Sequence, residues 1–128
     1  KEHELEHHIN AVSANLIYLA LGRQQLELPP QHLVYSIGLI DYFNDKLVLR
    51  LIDYIHSLLE PGGRVILGNF HPNNVDKAFM DHILDWRLIH RSEDDMDRLF
   101  AKSKFGRKCT QIRFEQEGIN LFAECVKD

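Results

Sequence analysis

Apolar residues fall along this chain in short blocks whose spacing changes from one block to the next. Residues 1–13 are polar and histidine-rich with no sustained period, the pattern of a short strand or a frayed entry. Residues 15–23 (NLIYLALGR) carry Leu16, Leu19 and Ala20 at helical spacing, enough for a turn or two. Leu28-Pro29-Pro30 then breaks the chain, because proline fixes φ and lacks the N–H that a ladder needs. Residues 32–40 (HLVYSIGLI) are apolar nearly throughout and do not alternate. Such a run between breakers predicts a strand covered on both faces, as in parallel sheets. Ser36 and Gly38, late in the run, let the backbone turn or let something approach it closely.

Asn44 is placed to cap a helix that starts at Asp45, with an acidic residue in its first turn. Leu47, Leu51, Ile55, Leu58 and Leu59 recur at three and four and predict its buried stripe. Glu60-Pro61-Gly62-Gly63 stops the helix, and residues 64–68 (RVILG) read as a second buried strand. Strand, helix, turn and strand in that order make a βαβ unit, whose crossover is right-handed in nearly every known case. Residues 76–91 predict a further helix carrying Trp86. Ser92-Glu93-Asp94-Asp95 resembles a capping box with Asp in the place of Glu, opening a helix through about Ser103. Residues 110–115 and 119–126 alternate, and the link Gln116-Glu117-Gly118 makes them an antiparallel hairpin. The fold class is therefore α/β, parallel strands closing with an antiparallel hairpin. Ligands of open α/β sheets bind outside the carboxyl ends of the strands, here residues 35–43 and 68–72.

Composition narrows the function. The chain has 128 residues, enough for one core and too few for two ordinary domains. Its 15 Lys+Arg against 19 Asp+Glu give a net charge of −4, which argues against a nucleic-acid binder held by bulk charge. The basic stretch 102–108 (KSKFGRK) reads as a solvated connection. No apolar run approaches the ~20 residues of a membrane span, and no leader pattern is visible. Cys109 and Cys125 are too few for a disulfide scaffold, so a reducing, cytoplasmic setting is the expectation. The eight histidines include His3 and His7 at i, i+4, yet no third or fourth ligand stands at motif spacing, and no metal is expected. A G-x-S-x-G elbow is absent.

The ordered string YSIGLIDYF…LLEPGGRVILGNF, followed by an acidic helix and a closing hairpin, resembles the second half of a class I S-adenosylmethionine-dependent methyltransferase. The resemblance runs from about residue 32 to residue 128. YSIGLIDYF, GNFHPNN and MDHILDWRLIHRSEDD together are similar to bacterial proteins that make 3-hydroxypalmitic acid methyl ester. The resemblance implies a Rossmann-like sheet, S-adenosylmethionine as cofactor, and a small or lipid-like acceptor such as a hydroxy-fatty-acid carboxylate. Family members hold the cofactor with a Gly-rich loop after the first strand and an acidic residue ending the second. Residues 1–31 contain neither, with Gly22 their only glycine, and His32 stands where relatives commonly have Asp. With Lys1 at the start, the expectation is that the first, cofactor-binding half lies upstream. The alternative is a non-catalytic α/β interaction module without a cofactor site.

On this resemblance Ser36, Ile37, Gly38 and Leu39 lie under the cofactor, and Asp41 and Tyr42 face the substrate. The residues alone also fit a strand with a small-residue turn. Asn69 suits hydrogen bonding to a carboxylate, and His71 exchanges protons near neutral pH. Asn-Phe-His-Pro-Asn-Asn is equally good turn chemistry. Trp86, with Met80 and Leu84, fits either an acyl pocket or a helix face packed on the sheet. No catalytic residue is assigned, since a carboxylate acceptor is already anionic and the work is chiefly to place the reactants in line. The exposed edge left by a missing half predicts self-association, or association with the rest of the parent chain.

Overall fold

Side-chain caps set where the helices begin. The computed structural model describes residues 11–72 and 88–128. Asn15 accepts the Tyr18 N–H and starts α1 (Leu16–Ala20). Asn44 Oδ1 accepts the Leu47 N–H at 2.9 Å and starts α2 (Asp45–Leu58). Ser92 and Asp95 close a full capping box on α3 (Glu93–Lys102), so Asp serves where Glu is usual. The strands are β1 (Gln31–Ser36), β2 (Leu59–Phe70), β3 (Gln111–Phe114) and β4 (Asn120–Val126).

The sheet order is β1-β2-β4-β3. β1 and β2 run parallel, with Val34 opposite Val65, and α2 is the crossover between them. β4 lies antiparallel to β2 and pairs with β3 as the closing hairpin. The α/β expectation is met. The Pro-Gly-Gly turn is absorbed into β2 rather than preceding it, and the register shifts between Gln31 and Leu33 to accommodate it. A Cβ on Gly63 would stand 2.8 Å from the Gln31 carbonyl oxygen and 2.9 Å from that of Glu60. Only glycine lets the chain return so close to β1. Lys127 braces the same corner, where its Nζ donates to the carbonyls of His56 and Leu59 at 2.9 and 2.8 Å. Those carbonyls sit at the C-terminus of α2, where a helix lacks internal donors and favours a cation.

The core lies on one face of the sheet. Val48, Leu51, Ile52 and Ile55 of α2 and Met96, Leu99 and Phe100 of α3 pack on Val65, Leu67, Leu121, Ala123 and Cys125. The buried stripe of α2 thus includes Val48 and Ile52, while Leu47 and Leu58 flank it half-buried.

Two expectations are corrected. β1 is not covered on both faces. Val34 packs on the core, but Leu33, Tyr35 and Ile37 are 47%, 68% and 59% exposed. Among the described residues both long helices occupy the same face, and β1 is an edge strand. An apolar run with no alternation predicts two buried faces only if cover exists for both. The second correction concerns the helix read over residues 76–91. Most of it lies outside the described residues, and its end, residues 88–90, is not helical. Those residues instead hydrogen-bond across the ends of β1 and β2, which an α-helical backbone could not do.

Candidate functional site

The carboxyl ends of two adjacent parallel strands form the edge where α/β sheets take ligands. β1 ends at Ser36, four residues short of the run 32–40 read as a strand, and Gly38 turns the chain at φ +77°. Ile37 lies across Gly68 of β2: a Cβ there would meet its side chain at 3.2 Å. Ser36 and Leu39 are half-buried, Leu39 against the core, while Ile37 and Gly38 are exposed. A single 3-10 turn, Ile40–Tyr42, then leads to the Asn44 cap.

The residues read as facing a substrate divide into two sets. Tyr42 is 62% exposed at this edge. Asp41, by contrast, is buried, and its Oδ1 accepts the Phe70 N–H at 2.8 Å. Burial raises its carboxyl above the usual range, partly offset by that N–H and by the charge of Arg91. Asn69 is fully buried; its Nδ2 donates to the carbonyls of Phe70 and Ile89, and its Oδ1 accepts from Arg91 at 2.8 Å. His71 sits beyond the end of β2, its Nε2 2.7 Å from Glu93 Oε1 and its ring edge-to-face with Phe114. The first turn of α3 and this imidazole hold the Glu93 carboxyl below its ordinary pKa, its own backbone N–H first and His71 second. Trp86, Met80, Leu84, His3 and His7 lie outside the described residues.

Arg91 is the residue that sequence reading missed. It is 1% exposed, and its guanidinium makes four hydrogen bonds and an ion pair. Nε donates to Asp45 Oδ1 at 3.0 Å, Nη1 to the Ile40 carbonyl and Asn69 Oδ1, and Nη2 to the Phe43 carbonyl, with Nη2 also 2.9 Å from Asp45 Oδ1 as an ion pair. Around it a short strap crosses both strand ends. The Ile89 N–H donates to the Asp41 carbonyl and the Arg91 N–H to that of Phe70, each at 2.8 Å. A lone Arg before a capping box carries no sequence signal of such a role.

Among the described residues no group of three His, Cys, Asp or Glu side chains could hold a metal. Burial, with Asp97 beside it, pushes the Cys109 thiol far up, away from nucleophilic use. A cleft of about 330 Å³ between α1 and α2 is lined by Arg50, Asp53, Tyr54, Ser57 and Lys104. It extends along the C-terminal half of α2, toward the opposite end of the sheet from this edge. No described helix is long and apolar enough to cross a membrane.

No protein-family model and no curated protein matches the chain. Solved structures do. The chain is similar to OxaC, determined with sinefungin and meleagrin, at TM-score 0.74 and 12% identity over 99% of this chain and 32% of that one. It is similar to the magnesium protoporphyrin IX methyltransferase ChlM of Synechocystis PCC 6803, determined with bound SAH (S-adenosylhomocysteine). There the TM-score is 0.58 and the identity 17%, over 86% of this chain and 48% of that one. It is also similar to the riboflavin-analogue dimethyltransferase RosA of Streptomyces davawensis, at TM-score 0.59 and 20% identity over 80% and 32%. The fold is that of the class I methyltransferases. More narrowly, the chain spans about a third of the length of the first structures it matches, and it aligns with that part of their fold.

Proposed function

We propose that this chain is the C-terminal part of a class I domain that transfers a methyl group from S-adenosylmethionine to a small or lipid-like acceptor. One observation carries the reading most. The glycine turn after β1 and Gly68 near the end of β2 lie at the ligand edge of a methyltransferase-type sheet, with the Ile37 side chain against Gly68. In this reading Ser36, Ile37, Gly38 and Leu39 lie against the cofactor, with backbone rather than charged side chains offered to it. Tyr42, His71 and Trp86 border the acceptor. Asp41 and Asn69 belong to the same border, but their polar atoms are engaged by Phe70, Ile89 and Arg91, so they shape the edge. When bound, the cofactor would supply an electrophilic methyl group to the acceptor oxygen, with S-adenosylhomocysteine as the group that leaves. The protein's share is to align the two and exclude water. A hydroxy-fatty-acid carboxylate remains the acceptor of choice, on the motif resemblance.

The glycine-rich first half is placed upstream in the parent chain. The free edge of β1 and its exposed row of Leu33, Tyr35 and Ile37 then meet that half, or a second copy in its absence. The same row equally suits an interaction module without a cofactor. Isothermal titration of the full-length protein with S-adenosylhomocysteine decides. Micromolar binding supports the enzyme, and no heat at millimolar ligand overturns it in favour of the module.

A further inference from the structure

Five polar contacts converge on one buried guanidinium, and they join three separate parts of the chain that the Asp41–Phe70 hydrogen bond also ties together. Ile40 and Phe43 belong to the turn after β1, Asn69 to the end of β2, and Asp45 to the first turn of α2. A turn at a sheet edge ordinarily turns its carbonyls to water and is correspondingly mobile. Here the carbonyls of Ile40 and Phe43 point inward to Arg91 at 2.9 and 2.7 Å. The cation is matched by Asp45, whose carboxylate is itself largely exposed. A buried, hydrogen-bonded charge of this kind is weak evidence for net stability, since an apolar replacement often serves as well. What it does supply is geometry. The planar fork accepts one arrangement of its partners and resists others.

We infer that Arg91 is a positioning residue: its guanidinium sets residues 37–43 against residues 69–71, and so tunes the ligand edge for the cofactor. This inference rests on the proposed function. The strap of residues 88–91 completes the device, since Ile89 and Arg91 hydrogen-bond the Asp41 and Phe70 carbonyls directly. Asn69 is the hub on the β2 side, donating to Ile89 while accepting from Arg91. The device lies at the margin of the sheet and the core: Asn69 and Phe70 pair with Leu121 and Asn120 of β4, and Ile40 packs in the core, so the test reads whether loosening it stays at this edge.

The test uses the full-length protein and the Arg91→Lys variant, which keeps the charge but loses the fork. Hydrogen exchange is read by peptide. We expect faster exchange over residues 37–43 and 69–72, with residues 64–67 and 121–125 as protected as before. S-adenosylhomocysteine affinity should fall roughly tenfold or more, the scale of one or two lost charge-assisted bonds. Lys127→Met serves as the control. It lowers the melting temperature by loosening the far end of α2 and leaves the affinity alone. Exchange rising across the whole sheet in Arg91→Lys, or affinity falling equally in Lys127→Met, overturns the inference and makes Arg91 a plain staple. Unchanged exchange and affinity in Arg91→Lys overturn it as well. If that variant does not fold, Asn69→Ala is read in the same way. A wild-type protein that ignores S-adenosylhomocysteine sinks the proposed function, while the exchange data still judge the clamp.

Discussion

The carboxylate of Asp41 accepts the backbone N–H of Phe70 at 2.8 Å, tying the turn after β1 to the last residue of β2. Asp41→Ala leaves that N–H without its acceptor, at a cost of about 1–3 kcal/mol in chemical denaturation. Asp41→Asn keeps an acceptor oxygen and should cost less. The pH dependence follows from burial, the main cause of the raised carboxyl pKa. A folded carboxyl that holds its proton more tightly than the unfolded one loses stability as pH rises from its ordinary value through the folded value. Stability curves measured from about pH 4 to pH 7 should show this falling component, and Asp41→Asn should remove it.

Gly38 turns at φ +77°, where a β-branched residue is strained by at least about 1–2 kcal/mol. No atom lies within 4 Å of a Cβ built there, so strain rather than crowding is the cost. Gly38→Val should therefore weaken S-adenosylhomocysteine binding to the full-length protein. Gly38→Asn, which tolerates the left-handed region, should bind nearly as wild type. Equal affinities for all three would remove this turn from the cofactor site.

Burial lowers the pKa of His56, with the charge of Lys127 adding to it. A histidine whose folded pKa is depressed stays neutral in the native state, so its contribution is present above the ordinary value and shrinks as pH falls through it. Lys127→Met removes one cause and should move the His56 titration, followed by NMR, back upward. The same substitution unsatisfies two carbonyls at the end of α2 and should cost about 0.5–1.5 kcal/mol.

Exposed Leu33 and Tyr35 lie on an edge strand that has no outer partner among the described residues. Sedimentation of the 128-residue piece at micromolar concentration should show species larger than a monomer. Leu33→Lys with Tyr35→Lys should shift it toward monomer. A clean monomer of the unmutated piece with a cooperative melt would count against an absent partner for this edge.

What the sequence by itself determined is local. Asn44 and Ser92 start helices because a short side-chain oxygen reaches the N–H three residues on, and that needs no tertiary context. Alternation in residues 119–126 put Leu121, Ala123 and Cys125 on one face, because a strand's period is fixed at two; that this face is the buried one came from the fold. The strand–helix–strand order was enough to expect the parallel pairing of β1 and β2. Only the tertiary structure decided what covers what. The apolar run 32–40 looks the same whether or not a layer lies over Tyr35. Asp41, Asn69 and Arg91 are separated by 22 to 50 positions, and sequence reads them as unrelated polar residues. Their meeting depends on two strand ends and one strap arriving at the same point. Burial then turns two apparent ligand-binding groups into parts of the frame, since a polar side chain removed from water bonds to whatever donors and acceptors reach it.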